Sequence, residues 1–178
     1  RKTIPEFPEV EAARQALDEP VARSPVAQAG PAHIATLKTF DPPLTALEGR
    51  RFAGARRRGK HLLFPTTDDE LVLHVHLMSA GRIRFQEPGA KGPKTPAFRL
   101  RLEDGGELIL TEGGPKKRAR VGVYRPDELE EELAHARNGG RPPHTETPSG
   151  TWAPYRGGPD AEVPEVEGFD EETAAQTP

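Results

Sequence analysis

The sequence predicts a mainly β domain with flanking helices, a sandwich or a barrel, followed by a disordered C-terminal tail. Three observations carry this. Short segments of period-two alternation recur between residues 51 and 124, separated by turn residues. One helical pattern precedes them and another follows. From Arg137 onward apolar residues are isolated, and seven Pro and six Gly fall in the last 42 residues. The expected division is 1–136 for the body and 137–178 for an acidic, Pro/Gly-rich tail.

Each element has a local reason. In Pro8–Leu17, Pro suits the first helical turn, acids follow it, and Val10, Ala13 and Leu17 share a face; Pro20 ends the helix. Residues 21–49 carry weak strand or loop signals. Within them, Leu44–Leu47 reads as a short turn or helix closed by Gly49. Strands are expected over Arg51–Arg57, His61–Phe64, Leu71–Leu77, Arg82–Phe85, Phe98–Glu103, Glu107–Thr111 and Val121–Tyr124. Asp104-Gly105-Gly106 joins two of these as a hairpin, since glycine supplies positive φ at no steric cost. Asp127–His135 reads as a helix with Leu129 and Leu133 at i, i+4.

Composition narrows the function classes. The chain has no cysteine, which excludes disulfides and Cys-based zinc sites. His74 and His76 would share one strand face, with no third ligand evident, so neither a metal nor a cofactor is expected, and packing is the favoured reading of both. No apolar run approaches the roughly 20 residues that span a bilayer. The first residues, Arg1–Pro5, lack an apolar signal core. A cytoplasmic location without membrane contact is therefore expected. Net charge is −3, but unevenly spread: residues 1–136 carry 22 Lys+Arg and 20 Asp+Glu, whereas the tail carries three basic and eight acidic residues. Arg50–Lys60 holds six basic residues in eleven with no acid among them, a pattern suited to phosphates.

Three segments resemble one known family in its own order. Pro5-Glu6-Phe7-Pro8-Glu9-Val10-Glu11 is similar to the Pro-Glu-Leu-Pro-Glu-Val-Glu opening of the formamidopyrimidine-DNA glycosylase / endonuclease VIII family. Arg57-Arg58-Gly59-Lys60-His61-Leu62-Leu63 is similar to its Arg-Arg-Gly-Lys-Tyr-Leu-Leu stretch, and His76–Ile83 to its His-Leu-Gly-Met-Ser-Gly-X-Leu stretch. The likeness covers about residues 5–125 and implies that family's N-terminal β-sandwich with its leading helix.

The resemblance also implies a chemistry, that of a base-excision-repair glycosylase with abasic-site lyase activity. A proline amine attacks C1′ of a damaged nucleotide, an imine forms, the base departs and the strand is cut by elimination. Carried over, Pro5 is the nucleophile, Glu6 the acid/base that helps open the sugar, and Glu9 a support from the helix start. Lys60 contacts phosphate and assists elimination. Arg57, Arg58, Met78, Lys116, Lys117 and Arg118 are the DNA-binding candidates. The implied partner is double-stranded damaged DNA, met by a monomer near the nucleoid.

Several positions depart from the family pattern. Pro5 follows four residues, so its nitrogen in the chain as written is an amide. The family's Met wedge aligns with Ser79; Met78 lies one position early, which on a strand is the opposite face and favours a core role. Its Asp-Pro-Arg-Arg-Phe-Gly segment is Glu112–Arg118 here, with positive charge but no aromatic wedge. A family histidine that contacts DNA aligns with Ala97. The helix-two-turn-helix has no counterpart where it would begin, at Gly139–Pro143, and a Cys₄ zinc finger is excluded. Three functions remain open on these residues: an active glycosylase/lyase, a non-catalytic DNA-binding remnant, and a protein-contact domain using the acidic tail.

Overall fold

The computed structural model describes residues 7–137. Helix α1 (Phe7–Asp18) comes first, followed by strands β1 (Val26–Ala32), β2 (Arg56–Arg58), β3 (His61–Pro65), β4 (Val72–His76), β5 (Gly81–Gln86), β6 (Phe98–Leu102), β7 (Glu107–Glu112) and β8 (Arg120–Tyr124), and then helix α2 (Pro126–Arg137). The strands form two four-stranded antiparallel sheets, in the orders β1-β6-β7-β5 and β2-β3-β4-β8. Of the two architectures the strand pattern allowed, this is the sandwich.

Strand alternation puts the core between the sheets. From the second sheet, Leu62, Phe64, Leu73, Val75, Val121 and Val123 enter it; from the first come Phe98, Leu100, Leu102, Leu108 and Leu110. Val10 and Leu17 of α1 join the same cluster, as the helical spacing predicts, while Ala13 is only half-buried. The β6–β7 hairpin has the expected turn, with Arg101 opposite Glu107 and Leu102 N donating to Gly106 O at 2.8 Å.

One open strand reading is resolved and one strand expectation is corrected. Within the weakly patterned 21–49 stretch, Val26–Ala32 is an edge strand. Two register shifts interrupt its pairing with β6, and it contains Gly30-Pro31, so period-two alternation is broken along it. Conversely, the strand expected over Arg51–Arg57 is reduced to Arg56–Arg58. Phe52 makes only an isolated bridge to Thr66, and Ala55 N donates to Asp18 Oδ1 on α1, at 2.8 Å, instead of to a strand.

Contacts divide the chain into Arg1–Pro126 and Asp127–Pro178. In the second unit α2 carries Asp127 and Glu128 in its first turn, where the helix dipole favours them. Leu129 and Leu133 are both buried, as their spacing predicts. The expected disordered tail, 137–178, lies outside the described residues but for Arg137. No helix among the described residues is long and apolar enough to cross a membrane.

Candidate functional site

Strand register brings the separated motifs to one end of the sandwich. His61 pairs with His76, and His76 with Arg120, so these three residues form a row across β3, β4 and β8. The Gly59-Lys60 turn precedes the row, the 77–80 turn follows it, and the 113–119 loop enters it. Gly81 pairs with Glu112, closing the same end of the other sheet. Helix α1 runs antiparallel to β2: Asp18 sits at Ala55 and Glu11 at Arg57. Its start at Phe7 therefore points to the end that carries Lys60.

Lys60 is half-buried at the turn between β2 and β3. Glu9 is exposed in the first turn of α1. Pro5 and Glu6 lie outside the described residues. Arg58 is exposed on the short edge strand β2. Arg57 turns toward the helix, its Nε donating to Glu11 Oε1 at 2.8 Å.

Met78 is not on a strand and not in the core, correcting both expectations. It sits in the 77–80 turn at φ 56°, in left-handed backbone, and is 36% exposed. Opposite strand faces have no meaning there, because a left-handed residue breaks the pleat. Its N–H donates to His76 Nδ1 at 3.0 Å. Gly81 closes the turn: a Cβ there would lie 2.6 Å from Leu77 O, a contact no side chain tolerates, and Gly81 N donates to that carbonyl at 2.9 Å.

Within the basic loop, Lys116 and Arg118 are exposed, whereas Lys117 folds back, its Nζ donating to Glu112 O at 2.6 Å and Gly114 O at 3.0 Å. Buried Glu112 accepts from the backbone N–H of Arg118 and of Ala119, all at 3.0–3.1 Å. A carboxylate held by backbone donors fixes the base of the loop, so exposed charge projects from a rigid root. Nothing local in the sequence announces Glu112 as a carboxylate that binds backbone six residues ahead.

The outer face of β3 and β4 carries a histidine cluster that the sequence only half shows. His61 Nδ1 and His74 Nε2 are 2.9 Å apart and their rings stack, while the His61 and His76 rings meet edge to face with centroids 4.6 Å apart. Period two flagged His74 and His76; His61 joins them only through the β3–β4 register. Among the described residues no group of three or more His, Cys, Asp or Glu is set to hold a metal ion. Burial, then positive charge from His61, His76 and Arg120, pushes His74 down to about 3. Burial and positive charge at His61, Arg120 and Lys60 push His76 down to about 4.

Both imidazoles stay neutral in the fold and protonate near 6.5 when unfolded, so their contribution is present above that pH and is lost as pH falls toward 4 and then 3. The urea midpoint is expected to drop between pH 8 and 5. In His74→Gln, which keeps a polar partner for His61, the drop is shallower. An equally steep fall in that variant would remove His74 as the source.

Comparisons with known proteins decide the kinship. The model of the formamidopyrimidine-DNA glycosylase N-terminal domain matches residues 4–120. The chain belongs to this family. Its similarity to the formamidopyrimidine-DNA glycosylase of Nocardia farcinica is 35% identity over 117 residues, covering 59% of this chain and 40% of that one. For the Nocardioides glycosylase it is 34% over 108 residues, 58% of this chain and 36% of the relative. Among solved structures, the Lactococcus lactis enzyme bound to DNA containing a formamidopyrimidine-deoxyguanosine lesion superposes with a TM-score of 0.63 at 23% identity, over 72% of this chain and 48% of that one. The same enzyme with abasic-site DNA gives the same score. The shared fold is thus the glycosylase N-terminal sandwich, and the chain spans less than half the length of these relatives.

Proposed function

We propose that this chain acts in base-excision repair as a DNA glycosylase with abasic-site lyase activity, on double-stranded damaged DNA. The observation that carries the reading is topological: the Lys60 turn, the exposed Met78 and the 112–118 basic loop leave one end of the sandwich, toward which α1 begins. Pro5 stands two residues before the helix start and supplies the nucleophile once its amine is free. Its nitrogen forms a bond to C1′ as the glycosidic bond breaks and the base leaves with the electron pair. Glu6 moves the proton that opens the sugar ring. Loss of a C2′ proton then expels the 3′ phosphate, and the cation at Lys60 favours that departure.

Around this centre, Arg58, Lys116 and Arg118 neutralise phosphates, and Met78 supplies an apolar tip against the space left by an extruded nucleotide. Glu9 supports the site from the first helical turn. The protein works as a monomer in the cytoplasm, at the nucleoid.

The test is a duplex with a single abasic site, offered to protein whose first residue is Pro5. Expected results are binding that weakens steeply as salt rises from about 50 to 200 mM, and strand nicking above background. Salt-dependent binding without nicking would replace catalysis by DNA binding alone, and absence of binding at low salt would remove both.

A further inference from the structure

We propose that Arg57, anchored by Glu11, is a positioning residue that holds the Lys60 turn against helix α1, rather than a phosphate contact. This rests on the lyase reading above and names a residue that serves it.

Glu11 is the hub. Its carboxylate accepts from Arg14 Nη2 at 2.8 Å and Nε at 3.0 Å, from Gln15 Nε2 at 3.0 Å and from Arg57 Nε at 2.8 Å. Arg14 and Gln15 are on the same helix, three and four residues on, and orient the carboxylate. Of these three donor residues, Arg57 is the one that crosses to the sheet. The carboxyl of Glu11 is held down to about 2, first by the hydrogen bond from Arg14 and then by those from Arg57 and Gln15, so it is ionised throughout the neutral range.

Arg57 also reaches forward. Its Nη1 donates to Gly59 O at 3.0 Å, the carbonyl immediately before Lys60. One planar guanidinium thus bonds the helix through Nε and the turn through Nη1, which the rigid geometry of arginine permits. The turn needs such a hold. Gly59 has φ 62°, nothing lies within 4 Å of where its Cβ would be, and β2 is a three-residue edge strand.

Docking of the helix does not depend on this link. Asp18 Oδ1 accepts from Ala55 N at 2.8 Å, Arg14 Nη1 donates to Ala55 O at 3.3 Å, and Val10 and Leu17 are buried in the core. Removing the Arg57 fork should therefore leave α1 in place and free the turn. For a cation acting on a departing phosphate, a displacement of about 1 Å lowers the rate on the order of a hundredfold.

Single-turnover nicking of abasic duplex at saturating Pro5-first protein, with Kd and thermal midpoint, separates the roles. Arg57→Met is expected to lower the saturated rate roughly tenfold or more, leaving Kd and the midpoint nearly unchanged. In a Lys60→Ala background the same substitution adds nothing, because it acts through Lys60. Arg57→Lys, which keeps the charge without the fork, recovers only part of the rate. A loss confined to Kd, or an undiminished effect beside Lys60→Ala, would overturn the proposal. If the Pro5-first protein does not nick, the lyase reading fails by itself, and the clamp is then judged by backbone order parameters. Arg57→Met must lower them at Gly59 and Lys60, and unchanged values would sink it.

Discussion

Protein beginning at Pro5 is expected to be trapped on abasic-site DNA by borohydride, with the new bond mapped to the Pro5 nitrogen. The same chain carrying Arg1–Ile4 is expected to give no such product. The difference is one of bonding. A terminal proline is a secondary amine whose lone pair attacks an aldehyde carbon and yields an iminium ion that borohydride reduces. After Ile4 that lone pair is delocalised into a peptide carbonyl, and no proton remains on nitrogen. The effect is all or none, unlike the graded losses expected at Lys60 or Arg57. Acetylation of the Pro5-first protein is expected to abolish trapping as well. A cross-link mapped to a lysine would end the assignment of Pro5 as nucleophile while leaving lyase activity intact.

Phe64→Ala should be among the most destabilising simple truncations in the sandwich. Phe64 is fully buried on β3, and its ring packs against Phe52 with centroids 5.9 Å apart at 57°. Truncation removes the aromatic contact and leaves a cavity between the sheets, at a cost of about 3–5 kcal/mol. Set against the roughly 5–15 kcal/mol of a typical domain, this is about a fifth of the total or more. The thermal midpoint is expected to fall by more than about 10 °C. Nicking falls with it when assayed above the new midpoint, since β3 begins next to Lys60. A fall of under about 3 °C would mean that the sheets close over the gap, and that Phe64 is less central than its burial indicates.

Helix α1, the β6–β7 hairpin, most of the strands and the kinship were legible in the sequence by itself. Helical and strand periods report which side of an element is buried, and Pro, Gly and Asp mark turns whatever surrounds them. The heptapeptide at Pro5–Glu11 and the Arg57–Lys60 stretch were legible for a similar reason, being runs of adjacent residues. What lay beyond reach was every feature that joins distant segments. Strand β1 hides behind Pro31 and two register shifts, and is a strand because β6 pairs with it. Met78 leaves the pleat because the 77–80 turn closes on Gly81 and His76. Arg57 reads as one more cation in a basic run until Glu11 is placed beside it, 46 residues away. His61 meets His74 only through cross-strand register. Periodicity fixes a residue's side of its own element, but its partner is chosen by packing of the whole, and in this protein the site is made of such partners.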